Sequence, residues 1–151
     1  MNRGGFTLIE MIIVLTLISI IFSIAYPNRN FYRSIKEKRE MEEFRKDLLF
    51  ARNKAIVESR DYMVYFHLDE NGYEIRKSEN SPIFKKKIFK YGLRLEPKNL
   101  VKSFTFKSNG TTTGGNTLYF RDSYNNKYKV TLTPATGRVT FSLDKENGGN
   151  I

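Results

Sequence analysis

The sequence predicts an α+β chain in which a long N-terminal helix packs on an antiparallel β-sheet domain. The helix is read as apolar in its first half and amphipathic in its second. Three observations predict this. Residues 6–26 carry no ionisable side chain except Glu10 and the terminal Tyr26. Between Asn28 and about Glu58, the apolar residues Met41, Phe44, Leu48, Ala51 and Ala55 recur at spacings of three and four, the helical period. After Arg60 the period falls to two, as in half-buried strands.

The first five residues, Met1-Asn2-Arg3-Gly4-Gly5, place one positive charge and two glycines ahead of the apolar run. This resembles a secretory signal with Arg3 held on the cytoplasmic side. In an ordinary signal peptide the small residues follow the apolar core, whereas here they precede it. Cleavage after Gly5 would keep the helix on the mature protein and expose a new amine on Phe6, four residues from Glu10. The 21 residues Phe6–Tyr26 make a helix about 31 Å long, which matches a hydrocarbon core of about 30 Å. A lone carboxylate deep in that core costs roughly 2.5–3.5 kcal/mol, so Glu10 needs either a partner or a route to the interface. Pro27 removes one helical hydrogen bond and predicts a kink between the two halves.

Gly5-Phe6-Thr7-Leu8-Ile9-Glu10 resembles the prepilin signature of type IV pilins and type II secretion pseudopilins. The resemblance implies cleavage between Gly5 and Phe6 by a prepilin peptidase, followed by N-methylation of Phe6. It implies that Glu10, at mature position five, meets the N-terminal amine of a neighbouring subunit in a fibre. It places Pro27 at the helix-kinking proline of the family. The competing reading is a plain membrane-anchored protein whose Glu10 snorkels to the interface, and it leaves Gly4-Gly5 unexplained.

The remaining organisation follows from pattern. Residues 1–5 read as a leader, 6–26 as a transmembrane and assembly helix, 27–59 as its amphipathic continuation, 60–143 as a β-rich domain, and 144–151 as a flexible tail. On the amphipathic helix, Lys36, Glu37, Lys38, Arg39, Glu40, Glu42, Glu43, Arg45 and Lys46 read as a solvated face with i,i+4 pairs such as Glu42–Lys46. Tyr62–Leu68 and Tyr73–Arg76 flank Asn71-Gly72, a hairpin signal. Partial alternation marks 82–91, and further strands are expected at 101–107, 117–121, 128–133 and 138–143. Turns at 122–126 and 134–137 separate the last three. About six or seven strands result, with the helix covering one sheet face. Cysteine is absent, so packing alone must hold the domain.

Phe106-Lys107-Ser108-Asn109-Gly110, Gly114-Gly115-Asn116-Thr117-Leu118 and Thr136-Gly137-Arg138-Val139 resemble the GspH/FimT type of minor pilin and pseudopilin. Read from the residues themselves, Gly110, Gly114, Gly115 and Gly137 are turn glycines with φ > 0. A phosphate cradle would need a following helix or the P-loop lysine.

Catalytic chemistry finds no support. The single histidine, His67, falls in a strand and reads as structural. Metal ligation lacks cysteine and a second histidine, and no Asp-rich loop has calcium spacing. No catalytic residue, metal or cofactor is expected.

The charge is +10, falling to +9 when Arg3 leaves with the leader. Such a field attracts polyanions. Lys85, Lys86, Lys87, Arg121, Lys127, Lys129 and Arg138 are the candidate DNA contacts. Tyr65, Tyr91, Tyr119, Tyr124 and Tyr128 offer stacking faces if exposed. Some FimT-type pilins bind DNA through a Gly-Arg-x-Arg element. Gly137-Arg138-Val139-Thr140 keeps the first arginine and lacks the second. The alternative is a basic surface facing acidic neighbours or cell-wall polymer.

The function expected is that of a non-catalytic minor pilin or pseudopilin. It would be a single-pass protein of the cell membrane, with its C-terminal domain extracytoplasmic, and would join a filament by priming or capping it. Its partners would be the prepilin peptidase, other pilins through the N-terminal helix, and membrane lipid. DNA capture for natural transformation is the alternative. Type IV pilus, type II secretion and competence systems remain open at this point, as does a tip or shaft position.

Overall fold

The computed structural model describes residues 7–25, 29–97, 102–114 and 116–144. The chain divides into two units, Met1–Tyr32 and Arg33–Ile151.

In the first unit, α1 runs Leu8–Ala25. Thr7 caps it: its carbonyl accepts from Glu10 N at 3.1 Å and Met11 N at 3.3 Å, and its Oγ1 faces Glu10 N at 3.4 Å. This makes Thr7-x-x-Glu10 a capping-box sequence, with the carboxylate in the first turn where the helix dipole favours it. Thr16 and Ser19 donate their hydroxyls to Ile12 O and Leu15 O, which hides two polar groups within the helix itself. Large apolar side chains stay exposed on all sides of α1, from Leu8 and Met11 to Ile21 and Phe22. Among the described residues no helix is long and apolar enough to cross a membrane. The 18 residues of α1 make about 27 Å, short of a core of about 30 Å. Phe6, Tyr26 and Pro27, on which the longer span and its kink depend, lie outside the described residues, as do the leader 1–5 and the tail 145–151.

Helix α2 is Arg29–Val57 and belongs to the second unit from Arg33 onward. The expected stripe is the buried one: Phe44, Leu48, Ala51 and Ala55 are fully covered, with Met41 at its margin. A Schellman-type end stops the helix. Ser59 turns left-handed (φ 50°), Arg60 N reaches back to Ala55 O, and Ser59 N to Ile56 O.

Eight strands follow among the described residues, as β1 (Tyr62–His67), β2 (Gly72–Arg76), β3 (Ile83–Ile88), β4 (Arg94–Glu96), β5 (Ser103–Phe106), β6 (Asn116–Arg121), β7 (Lys127–Thr133) and β8 (Arg138–Asp144). They form two four-stranded sheets, ordered β3-β2-β1-β5 and β4-β6-β7-β8, and every described pairing is antiparallel. The antiparallel β-domain is as expected, and the expected six or seven strands are corrected to eight. β4 has only three residues and one buried side chain, too short to show a period. β3 is an edge strand with an exposed pattern, so its sequence carries little alternation.

Phe44 joins α2 to both sheets. Its ring lies 4.8 Å from Tyr73 of the first sheet and 5.2 Å from Phe120 of the second, centroid to centroid. Val64, Phe66, Ile75, Phe104 and Phe106 from one sheet, and Leu118, Val130 and Leu132 from the other, complete one core. The hairpin turn forms as expected, with Asn71 left-handed at φ 51°. Its side chain does more than turn the chain. Nδ2 donates to Leu93 O at 2.7 Å and Oδ1 accepts from Leu95 N at 2.9 Å, which ties the hairpin to β4 across the sheets.

Candidate functional site

The acidic residues of α2 correct the reading of a solvated face. Glu37, Glu40 and Asp47 are buried, because they recur on the flank of the apolar stripe and meet donors from the β-domain. Glu40 accepts from Lys90 N at 2.6 Å and from Tyr91 N at 3.3 Å. Burial pushes its carboxyl up, and those two backbone bonds pull it back. Asp47 accepts from Tyr73 Oη and from Lys85 Nζ, each at 2.6 Å. The buried Tyr73 hydroxyl is raised far above its usual range, first by desolvation and then by that aspartate. Glu43 takes Lys87 as its partner and is held below the usual carboxylate range by it. The solvated-face reading holds for Glu42 and Arg45, which are both exposed. They pair at i,i+3 and 3.9 Å, where Glu42–Lys46 was expected.

Three of the DNA candidates form ion pairs within the domain. Lys85 and Lys87 point to α2 and are paired with Asp47 and Glu43, while Lys86 alternates to the other side and meets Glu70 at 2.6 Å. The Lys85-Lys86-Lys87 run is therefore charge-matched within the domain and is not a free basic patch.

Strand alternation and register bring Arg121, Lys127 and Lys129 together and leave Arg138 on the same face at the far end of β7. Leu118, Phe120, Val130 and Leu132 turn inward, so Tyr119, Arg121, Lys127, Lys129 and Thr131 share the outer face of the second sheet. Tyr119 stands in register with Lys129, Arg121 with Lys127, and Thr133 with Arg138. Arg94 joins the same face opposite Arg121 on β4 and was not among the sequence candidates. Glu96 tempers the field by accepting from Arg121 Nε at 2.5 Å. Arg138 is exposed where β8 begins. Of the candidate stacking rings, Tyr119 lies on this face. Tyr128 is packed against the core with its hydroxyl on Asp122, and burial raises it.

His67 ends β1 beside the acid Glu74. Its Nε2 is 3.1 Å from the buried Glu74 Oε2, off the line of a hydrogen bond, and its ring packs 5.0 Å from that of Tyr65. Glu74 is also bonded to Arg76. Among the described residues no group of histidines and acids is placed to hold a metal ion.

In the first unit, Glu10 sits exposed in the first turn of α1, with its backbone N bonded to Thr7. The other sequence-predicted processing and assembly residues, Gly5, Phe6 and Pro27, lie outside the described residues. The Thr7 cap was legible in the sequence as Thr-x-x-Glu and was missed.

The family described as the prokaryotic N-terminal methylation motif matches residues 1–26. No curated protein matches the chain. Among solved structures, the type IV minor pilin FimU of Pseudomonas aeruginosa superposes with a TM-score of 0.63 at 19% identity, covering 74% of this chain and 92% of that one. The minor pseudopilin EpsH of the Vibrio cholerae type 2 secretion system gives 0.57 at 20% identity, covering 74% of this chain and 99% of that one. The chain thus carries the N-terminal methylation motif in its first 26 residues and shares its fold with a solved type IV minor pilin and a solved minor pseudopilin.

Proposed function

We propose that the chain is a non-catalytic minor subunit of a type IV pilus or type II secretion pseudopilus. In this reading a prepilin peptidase cuts between Gly5 and Phe6, Phe6 is N-methylated, and the apolar helix 6–26 holds the protein in the cell membrane with its β-domain outside the cytoplasm. Assembly then draws that helix into a filament, which the subunit primes or caps. One observation carries the proposal: a methylation motif is joined to a helix that is apolar all round and holds the single acid Glu10 in its first turn. A helix of that kind has no use in water and needs lipid or other helices about it. The cationic amine of a neighbour's Phe6 would offset the cost of Glu10 in either setting. The test is Glu10→Val in the native host. Membrane insertion and leader removal should be unchanged while recovery in sheared filaments drops at least tenfold. Wild-type recovery of the variant would overturn the assembly role.

A second reading rests on a separate observation, the grouping of Arg94, Arg121, Lys127 and Lys129 on one sheet face, with Arg138 on that face at the far end of β7. We infer that the same subunit presents this face to a polyanion, with DNA taken up in natural transformation as the ligand of that reading.

A further inference from the structure

Two buried acids of α2 pin two loops of the β-domain to the helix. Glu37 Oε1 accepts from Ser123 N at 3.2 Å, in the turn between β6 and β7. Glu40 accepts from Lys90 N at 2.6 Å and Tyr91 N at 3.3 Å, in the loop between β3 and β4. Arg33 adds a third tie, its Nε donating to Tyr91 O at 3.0 Å. Both loops are thereby held at the end of α2 that enters the domain.

Each loop presents a ring to solvent. Tyr91 is 44% exposed and Tyr124, next to Ser123, is 49% exposed. The Lys36 ammonium stands 5.3 Å from the centre of the Tyr91 ring, and Arg33 and Lys90 are exposed beside it. Arg94, Arg121 and Lys127 form a row at the same end, where β4 begins, β6 ends and β7 begins. Most of the acids here are turned in or matched. Glu37, Glu40 and Asp122 are buried, Glu70 meets Lys86 and Glu96 meets Arg121, while Asp69 is exposed.

The chain enters the domain at this same end. Arg33 follows Tyr26, the last residue of the apolar run, by seven positions, and such a stretch reaches at most about 25 Å. With the helix 6–26 in a membrane, Arg33 therefore stays close to the headgroups. Tyrosine is favoured at that depth, where its ring meets the acyl boundary and its hydroxyl stays wet. Lysine and arginine near an anionic lipid surface gain about 1 kcal/mol each.

We propose that this end of the β-domain docks on an anionic phospholipid surface, with Tyr91 and Tyr124 at headgroup depth and Arg33, Lys36 and Lys90 on the phosphates. The inference rests on the membrane reading proposed above and adds to the helix anchor a second contact. That contact is electrostatic where the anchor is hydrophobic, so salt separates the two.

The chain has no tryptophan, so Tyr91→Trp gives it a single indole. The full-length variant is reconstituted in phosphatidylcholine vesicles with or without about 30% phosphatidylglycerol, with acyl-brominated phosphatidylcholine as quencher. Phosphatidylglycerol should shift the emission to the blue and raise quenching at least twofold. About 0.5 M salt should return both to their values in phosphatidylcholine alone, because it shortens the screening length to a few ångströms. Lys36→Glu combined with Lys90→Glu should do the same at low salt, with the amide circular dichroism unchanged. An indole indifferent to phosphatidylglycerol overturns the proposal, and the lipid and salt arms decide this without the charge variants. Full quenching in the double charge reversal overturns it too. So does an emission that shifts with short duplex DNA and not with phosphatidylglycerol, which would mark a nucleic-acid surface. Flotation in alkaline carbonate tells the two readings apart. A chain that stays with the vesicles while its indole ignores phosphatidylglycerol loses this proposal alone. A chain that leaves the vesicles loses the membrane anchor as well.

Discussion

Gly137 packs backbone to backbone on Gly110: a Cβ at Gly137 would run into the Gly110 carbonyl oxygen, the same atom to which Arg52 Nε donates at 3.1 Å. Arg52 Nη2 also donates to Thr136 O at 3.0 Å, so one guanidinium on α2 ties down both turns. Both glycines are left-handed, with φ of 80° at Gly110 and 59° at Gly137. Asn109-Gly110 and Thr136-Gly137-Arg138, which carry the GspH/FimT resemblance, are thus two sides of one joint. Within the Gly137-Arg138 pair, the glycine makes the joint and only the arginine is free to face outward.

Gly137→Ala should therefore lose stability twice, about 1–2 kcal/mol for the left-handed backbone and about 1–3 kcal/mol for the overlap with Gly110. Thermal melts of the variant should show a midpoint lower by roughly 10 °C. Arg52→Ala, which strips two carbonyls of a donor, should cost about 1–3 kcal/mol. The two losses should add up to less than their sum, since they break the same contact. A Gly137→Ala protein that melts with the wild type would refute the joint.

Asp47 accepts from the buried Tyr73 hydroxyl and from Lys85, so Asp47→Ala should cost about 2–3 kcal/mol, measured by urea unfolding. Part of the Lys85 pairing is discounted because that ammonium is half exposed. Tyr73→Phe should cost about 1–2 kcal/mol. The double variant should recover part of the sum, because the hydroxyl and the carboxylate share one bond.

Acid should weaken the domain through Glu58. Lys54 first, then Lys77 and the Tyr62 hydroxyl, hold its carboxyl down to about 2 from 4.5. A depressed carboxyl stabilises the fold above its unfolded value, and that contribution is lost as pH falls from about 5 towards 2. Glu43, lowered by Lys87, acts with the same sign. Glu40, raised by burial, acts with the opposite sign, since its contribution is lost as pH rises above its unfolded value of 4.5. Urea midpoints taken at pH 7, 4 and 2.5 should fall on acidification, and Glu58→Gln should flatten the fall. Identical slopes for the two proteins would remove Glu58 from the account.

If the second-sheet face takes DNA, binding should weaken steeply with salt, and Arg138→Ala or Lys129→Ala should each lower the salt slope by about one phosphate. Lys86→Ala should leave the affinity unchanged, because that ammonium is paired with Glu70. Retention no better than that of a neutral protein at low salt rules DNA out.

The sequence by itself determined the helix stripe, the strands with clear alternation and the methylation motif, because each is a local pattern. Phe44, Leu48, Ala51 and Ala55 announce a core face by spacing alone, and Gly5-Phe6 with Glu10 is contiguous. Only the tertiary structure decided what depends on partners far along the chain. It buried Glu37, Glu40 and Asp47, which look like surface acids until Ser123, Lys90 and Lys85 arrive beside them. It divided the strands between two sheets and added β4, since a three-residue strand forms only where β6 offers it a ladder. It also sorted a diffuse positive charge into lysines matched by α2 and Glu70 and a basic face on the second sheet. Register and pairing over tens of residues set that division, and composition carries no trace of it.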